Sequence, residues 1–106
     1  MLFRSYHAFV LGLLVTMEGS HRVRSNREAG HGRADVLVCP RQPGQPGAVL
    51  EFKRRGDRRS LATHAGLALK QIRQKSYSEP LEAAGASPIR LFGICFEGKQ
   101  VVVRGG

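Results

Sequence analysis

Gly30-His31-Gly32-Arg33-Ala34-Asp35 and Glu51-Phe52-Lys53 bracket the stretch whose reading decides the fold. Between them lie two apolar runs, residues 34–39 and 47–53, separated by residues 40–46. That separator is so rich in Pro, Gly and polar side chains that it reads as a loop between strands. Strands joined this way pair antiparallel, which sets the start of the first beside the end of the second. Asp35 then falls near Glu51 and Lys53, and the two-residue period of a strand puts Glu51 and Lys53 on one face. Two carboxylates beside an ammonium repel each other unless a cation sits between them. Oxygen ligands with open positions suit Mg²⁺ or Mn²⁺, and such a site activates water and relieves charge on a phosphodiester. Lys53 adds a positive point charge where the phosphorane turns negative, and it can position the attacking water. The same residues also have a plainer reading. Glu51 and Lys53 are then an ordinary exposed i, i+2 pair and Asp35 a turn residue; the pattern is short enough to admit both.

The length of 106 residues fits one domain, 1–106, with a single core. Hydrophobic residues make up 42% and charged residues 24%, the balance of a globular chain rather than a disordered one. The net charge is +9, from 17 Lys plus Arg against 8 Asp plus Glu. So large a surplus on so small a chain calls for a polyanion: nucleic acid first, an anionic membrane surface second. Cys39 and Cys95 sit in apolar strand-like runs and read as buried free thiols. With no Cys-x-x-Cys there is neither a zinc signature nor a redox motif, and the expected compartment is reducing and cytoplasmic. The apolar run at residues 8–17 is too short to span a bilayer and is followed by Glu18 without a cleavage site, so it reads as a buried helix.

The spacing of Tyr6, Phe9, Val10, Leu13, Leu14 and Met17 predicts a helix over residues 3–18, stopped by Gly19-Ser20. Residues 21–25 alternate as a short strand. In the turn at 26–33, Arg27 and Arg33 are either phosphate contacts or solvated turn residues. Glu28 is a third carboxylate at this end of the sheet. It either reaches the metal, directly or through water, or pairs with Arg24, Arg27 or Arg33. After Lys53 comes Arg54-Arg55-Gly56-Asp57-Arg58-Arg59, four arginines in six residues. Such runs are usually solvated loops, but this one abuts the expected site, which favours phosphate binding. Asp57 reads as a helix-start residue rather than a ligand.

Ser60 caps a helix predicted over 61–77, with Leu61, Ala65, Ala68, Leu69 and Ile72 as its buried stripe. His64, Gln71 and Lys75 fall on an adjacent stripe, which either delivers polar groups to the site or faces solvent; His64 is assigned to solvent. Residues 78–88 connect, with one helical turn at 81–85. Residues 89–97 and 100–104 are strands about a tight turn at Glu97-Gly98-Lys99. The order is αβββαββ, an α/β arrangement of a mixed sheet flanked by helices.

Asp35, fifteen intervening residues and Glu51-x-Lys53, in that frame, resemble the PD-(D/E)xK nuclease superfamily. More closely, the chain resembles the nuclease-type domain at the C-terminus of AAA-ATPase-like proteins. The likeness is carried by Tyr6-His7-Ala8-Phe9, Ser25-Asn26-Arg27-Glu28, Gly30-x-Gly32-Arg33-x-Asp35, Glu51-Phe52-Lys53, Ala68-Leu69-x-Gln71-Ile72 with Tyr77, and Gly93-Ile94-x-Phe96-x-Gly98-Lys99. It implies a restriction-endonuclease-like fold and divalent-metal phosphodiester hydrolysis, with Mg²⁺ or Mn²⁺ as cofactor and DNA as the favoured partner. By position, Asp35 and Glu51 correspond to the family's metal-binding acids and Lys53 to its lysine. Gln71 and Tyr77 resemble a Gln…Tyr element that would contact substrate or orient the water. Nucleic-acid contacts are expected from Arg27, Arg33, Arg54, Arg55, Arg58, Arg59, Lys75 and Tyr77. The arginine-rich linker departs from relatives that carry an acidic helix there. The ATPase-like portion is missing, so the chain reads as a stand-alone nuclease or an excised domain with an ATPase-like partner. Stand-alone relatives of this size often work as homodimers, and the apolar run at 91–96 is the candidate pairing edge. Two competing readings remain: a non-catalytic nucleic-acid-binding module with a relic site, and an interaction domain serving an ATPase.

Overall fold

Residues 36–38 and 48–50 are apolar without alternation, which in a strand means burial on both faces. The structure, a computed structural model, describes residues 14, 16, 18–25, 36–75 and 77–106. The expected helix over 3–18 lies mostly outside the described residues, as do Arg27, Glu28, Arg33 and Asp35. The strands are β1 (His21–Ser25), β2 (Val36–Pro40), β3 (Gly47–Arg54), β4 (Ile89–Glu97) and β5 (Gln100–Gly105). The helices are α1 (Leu61–Gln74) and α2 (Glu79–Ala83). The strands form one sheet in the order β1-β2-β3-β4-β5. β3 and β4 run parallel, and every other neighbouring pair is antiparallel. Parallel neighbours need a long return path, and α1 with α2 provides it.

The sheet has two packed faces. On one, Leu37 and Val49 meet Leu69 and Ile72 of α1, together with Tyr77 and Leu81. On the other, Val36, Val38, Leu50, Phe52, Ile94 and Phe96 cluster, with Leu14 and Val23 against them. Each fully buried Val, Ile, Leu or Phe contributes about 1.5–3 kcal/mol, so β2 and β3 anchor both layers. α1 approaches β4 closely at Gly93. A methyl carbon there would collide with the Ala65 carbonyl oxygen and stand 2.6 Å from the Leu69 nitrogen.

α1 is capped as expected. The Ser60 hydroxyl accepts from the Thr63 N–H at 3.1 Å. Ser60→Ala is expected to cost about 1 kcal/mol, which thermal unfolding would register as a drop of about 4–8 °C. The helix ends at Gln74 rather than at residue 77, because the chain turns back on itself. The Tyr77 N–H donates to the Ile72 carbonyl at 3.3 Å, and the Tyr77 ring enters the core. The next helical turn begins at Glu79, two residues earlier than expected, where the Ser78 hydroxyl donates to Glu82 at 3.0 Å.

Two expectations are overturned. Residues 91–96 are not an edge: β4 lies between β3 and β5, and its apolar character comes from burial inside the sheet. His64 does not face solvent; it is 6% exposed. Positions 61, 64, 65, 68, 69 and 72 are all buried and themselves make the three- and four-residue repeat of one helix face. No helix among the described residues is long and apolar enough to cross a membrane.

Candidate active site

Glu51 and Lys53 belong to β3, and their register fixes the face they occupy. Glu51 lies beside Gly93 and Lys53 beside Cys95. Cys95 packs with Leu61 and Ala65 of α1, and Val49, two residues before Glu51, packs with Leu69 and Ile72. Glu51 and Lys53 therefore share the α1-covered face, whereas Leu50 and Phe52 point to the other. Glu51 is only 7% exposed, which removes the plain reading of a solvated surface acid. Lys53 is half-buried. Charged side chains are seldom buried without a partner or a task.

Asp35 and Glu28 lie outside the described residues. Val36, bonded directly to Asp35, faces Leu50, bonded directly to Glu51. Glu51 offers hard carboxylate oxygens, the donor type that Mg²⁺ and Mn²⁺ take, and Gly93 beside it contributes no side chain. That donor chemistry fits a divalent ion. Among the described residues, no three His, Cys, Asp or Glu side chains gather as a metal site.

Beyond the end of β3 a cleft of about 620 Å³ opens, lined by Lys53, Arg54, Asp57, Arg59, His64 and Leu67 among others. Asp57 organises its rim. It accepts from the Arg59 N–H at 2.9 Å, from Arg59 Nε at 3.0 Å and Nη2 at 2.7 Å, and meets His64 Nε2 at 2.8 Å. The Arg59 hydrogen bonds, and then that of His64, hold the Asp57 carboxyl far below the usual carboxylate range. An ionised carboxylate only accepts, so Nε2 of His64 carries the proton. Because the folded-state pKa is depressed, these contacts are at full strength above the ordinary carboxylate pKa and are lost only as pH falls through the depressed value. Asp57 is thus a loop hub and not the helix cap, which is Ser60.

Arg54 at the end of β3 and the three arginines of the loop after it are not equivalent. Arg55 donates to the Asp57 carbonyl at 3.0 Å, to Glu97 at 3.0 Å and to the Arg58 carbonyl at 3.2 Å. Arg59 is spent on Asp57. Arg54 and Arg58 are exposed and make no side-chain hydrogen bond or ion pair among the described residues. Gln71 is half-buried and its Nε2 donates to the Tyr77 hydroxyl at 3.2 Å. Tyr77 is buried in the core, and Lys75 is exposed at the end of α1. The sequence did hold a signal for the Asp57–His64 contact: the helical repeat includes position 64, and a buried histidine needs a polar partner nearby.

A family model described as the PD-(D/E)XK nuclease superfamily matches residues 4–105. The chain belongs to the PD-(D/E)XK nuclease superfamily. The mixed five-stranded sheet with its helices is consistent with the restriction-endonuclease-like fold, and membership of this superfamily implies a nuclease-type domain. PD-(D/E)XK nucleases typically use divalent metals. No curated protein and no solved structure matches the chain.

Proposed function

We propose that the chain is a divalent-metal-dependent nuclease that hydrolyses phosphodiester bonds in nucleic acid, with DNA the favoured substrate. The observation that carries this reading is the burial of Glu51 on the α1-covered face of β3 with Lys53 next along the same face. Superfamily membership and the charge of +9 support it. In this reading Asp35 and Glu51, with Glu28, are the acids that hold Mg²⁺ or Mn²⁺. When bound, the ion supplies water activation and charge neutralisation at the phosphate. Lys53 orients the attacking water and stabilises the negative charge that builds on the phosphorane. Gln71, tied to Tyr77, bears on the same face of the sheet from α1. Arg27, Arg33, Arg54, Arg58 and Lys75 are the phosphate contacts. The free thiols of Cys39 and Cys95 fit a reducing, cytoplasmic compartment.

The test is cleavage of single-stranded, duplex and branched DNA with Mg²⁺ or Mn²⁺. We expect cutting with either ion and none after chelation by EDTA, and Asp35→Asn is expected to abolish it while leaving DNA binding in place. Binding without cutting under every condition would assign a non-catalytic module instead. Wild-type rates in Asp35→Asn would remove the site.

A further inference from the structure

We propose that Asp57 and His64 form a brace that holds the loop after β3 so that Arg58 is presented to nucleic-acid phosphates beside Arg54, the last residue of that strand. This deepens the proposed function and rests on its nucleic-acid substrate. Arg55, Arg58 and Arg59 follow Arg54 at the end of β3 and all four repel one another, so the loop carrying the last three has no intrinsic reason to hold one shape. Here one carboxylate collects three donors from Arg59 and one from His64. His64 is 6% exposed and built into the first turns of α1, so its end of the contact is anchored in the core. Arg55 closes the loop from the other side by tying the carbonyls of residues 57 and 58 to Glu97 at the end of β4. Two arginines are therefore struts, and the other two are exposed with no side-chain partner among the described residues. Lys53, Arg54 and Arg59 line the same cleft, so a strand held by Arg54 would pass the proposed catalytic lysine. Asp57 and His64 are positioning residues; neither is required to touch substrate.

The brace makes a prediction opposite in sign to charge counting. Removing an acid from a basic surface should tighten DNA binding if only net charge matters. If Asp57 orders the loop, Asp57→Ala weakens binding instead, because Arg58 and the loop around it must then be ordered at the moment of contact. The experiment is duplex oligonucleotide binding by the full chain without metal, as a function of salt, alongside metal-dependent cleavage kinetics. Asp57→Ala is expected to raise Kd about fivefold and to make the salt slope shallower by about 1–2 phosphate contacts. KM should rise and kcat stay within about twofold. His64→Leu should match it, and His64→Gln, which keeps a donor near Nε2, should restore wild-type binding. The double variant should be no worse than either single one, as for two members of one contact. Asp57→Ala alters an exposed ion pair and the His64 variants place a side chain of similar size at its buried position, so thermal unfolding should remain cooperative. Tighter binding by Asp57→Ala, with wild-type binding intact, overturns the brace and leaves the nuclease reading standing. A wild-type chain that binds no oligonucleotide overturns both.

Discussion

Lys53→Ala is expected to lower metal-dependent DNA cleavage by about 10²–10³-fold, the usual effect of removing one positioned donor from a transition state. Duplex binding should change far less, because a single cation on a chain of net charge +9 carries a small part of the electrostatic attraction. The side chain is half-buried on the face of β3 that α1 covers, beside Cys95 and one strand period from Glu51. Lys53→Arg should not rescue it. A planar, forked guanidinium does not place its charge where a flexible stem places an ammonium. Glu51→Gln tests the partner acid with almost no change of shape and should be as damaging, with the thermal midpoint close to wild type. Comparable cutting by Lys53→Ala and the wild type would remove Lys53 from the chemistry, whatever the DNA affinity.

Gly93→Ala should strongly destabilise the helix-covered face. The added methyl would collide with the Ala65 carbonyl oxygen and crowd the Leu69 nitrogen. These are backbone atoms in the middle of α1, so no side-chain rotamer relieves the clash. Either the helix lifts from the sheet or β4 sinks, and Leu61, Ala65 and Cys95 lose their packing with it. Overpacking of this kind costs about 3 kcal/mol, a large share of the 5–15 kcal/mol typical of a folded domain. Thermal unfolding should fall by about 12–24 °C. A midpoint within about 3 °C of wild type would mean that the helix does not ride on this glycine. Lifting α1 would also open the roof over Glu51, so cleavage should fall with stability.

Periodicity made much of this arrangement legible before the structure. The Pro/Gly loop at 40–46 announced the β2–β3 hairpin, and period two put Glu51 and Lys53 together. The three-four repeat exposed the buried stripe of α1. What stayed hidden depended on neighbours distant in the chain. A run of apolar residues at 91–96 looks the same at an edge as in the interior; only the sheet order, with β5 outside β4, tells them apart. Four arginines are alike in sequence, and their division into struts and free cations follows from where Asp57 and Glu97 stand. Tyr77 was expected at the nucleic-acid surface because of its likeness to a family motif. Its ring is buried beside Leu37 and Val49, with Gln71 as the partner of its hydroxyl.

The parallel register between β3 and β4 also bears on how the molecule comes together. Gly47 meets Ile89 and Arg54 meets Phe96, so each rung of that ladder joins positions 42 apart. The β2–β3 and β4–β5 ladders join strands linked by short turns. Closing the longer loop carries the greater entropic cost and slows assembly. Glu51 and Lys53 lie on this one seam between two locally wound halves. Neither half alone holds both the strand that carries these two side chains and the neighbour that flanks them, so the face they share is complete only once the two halves have joined.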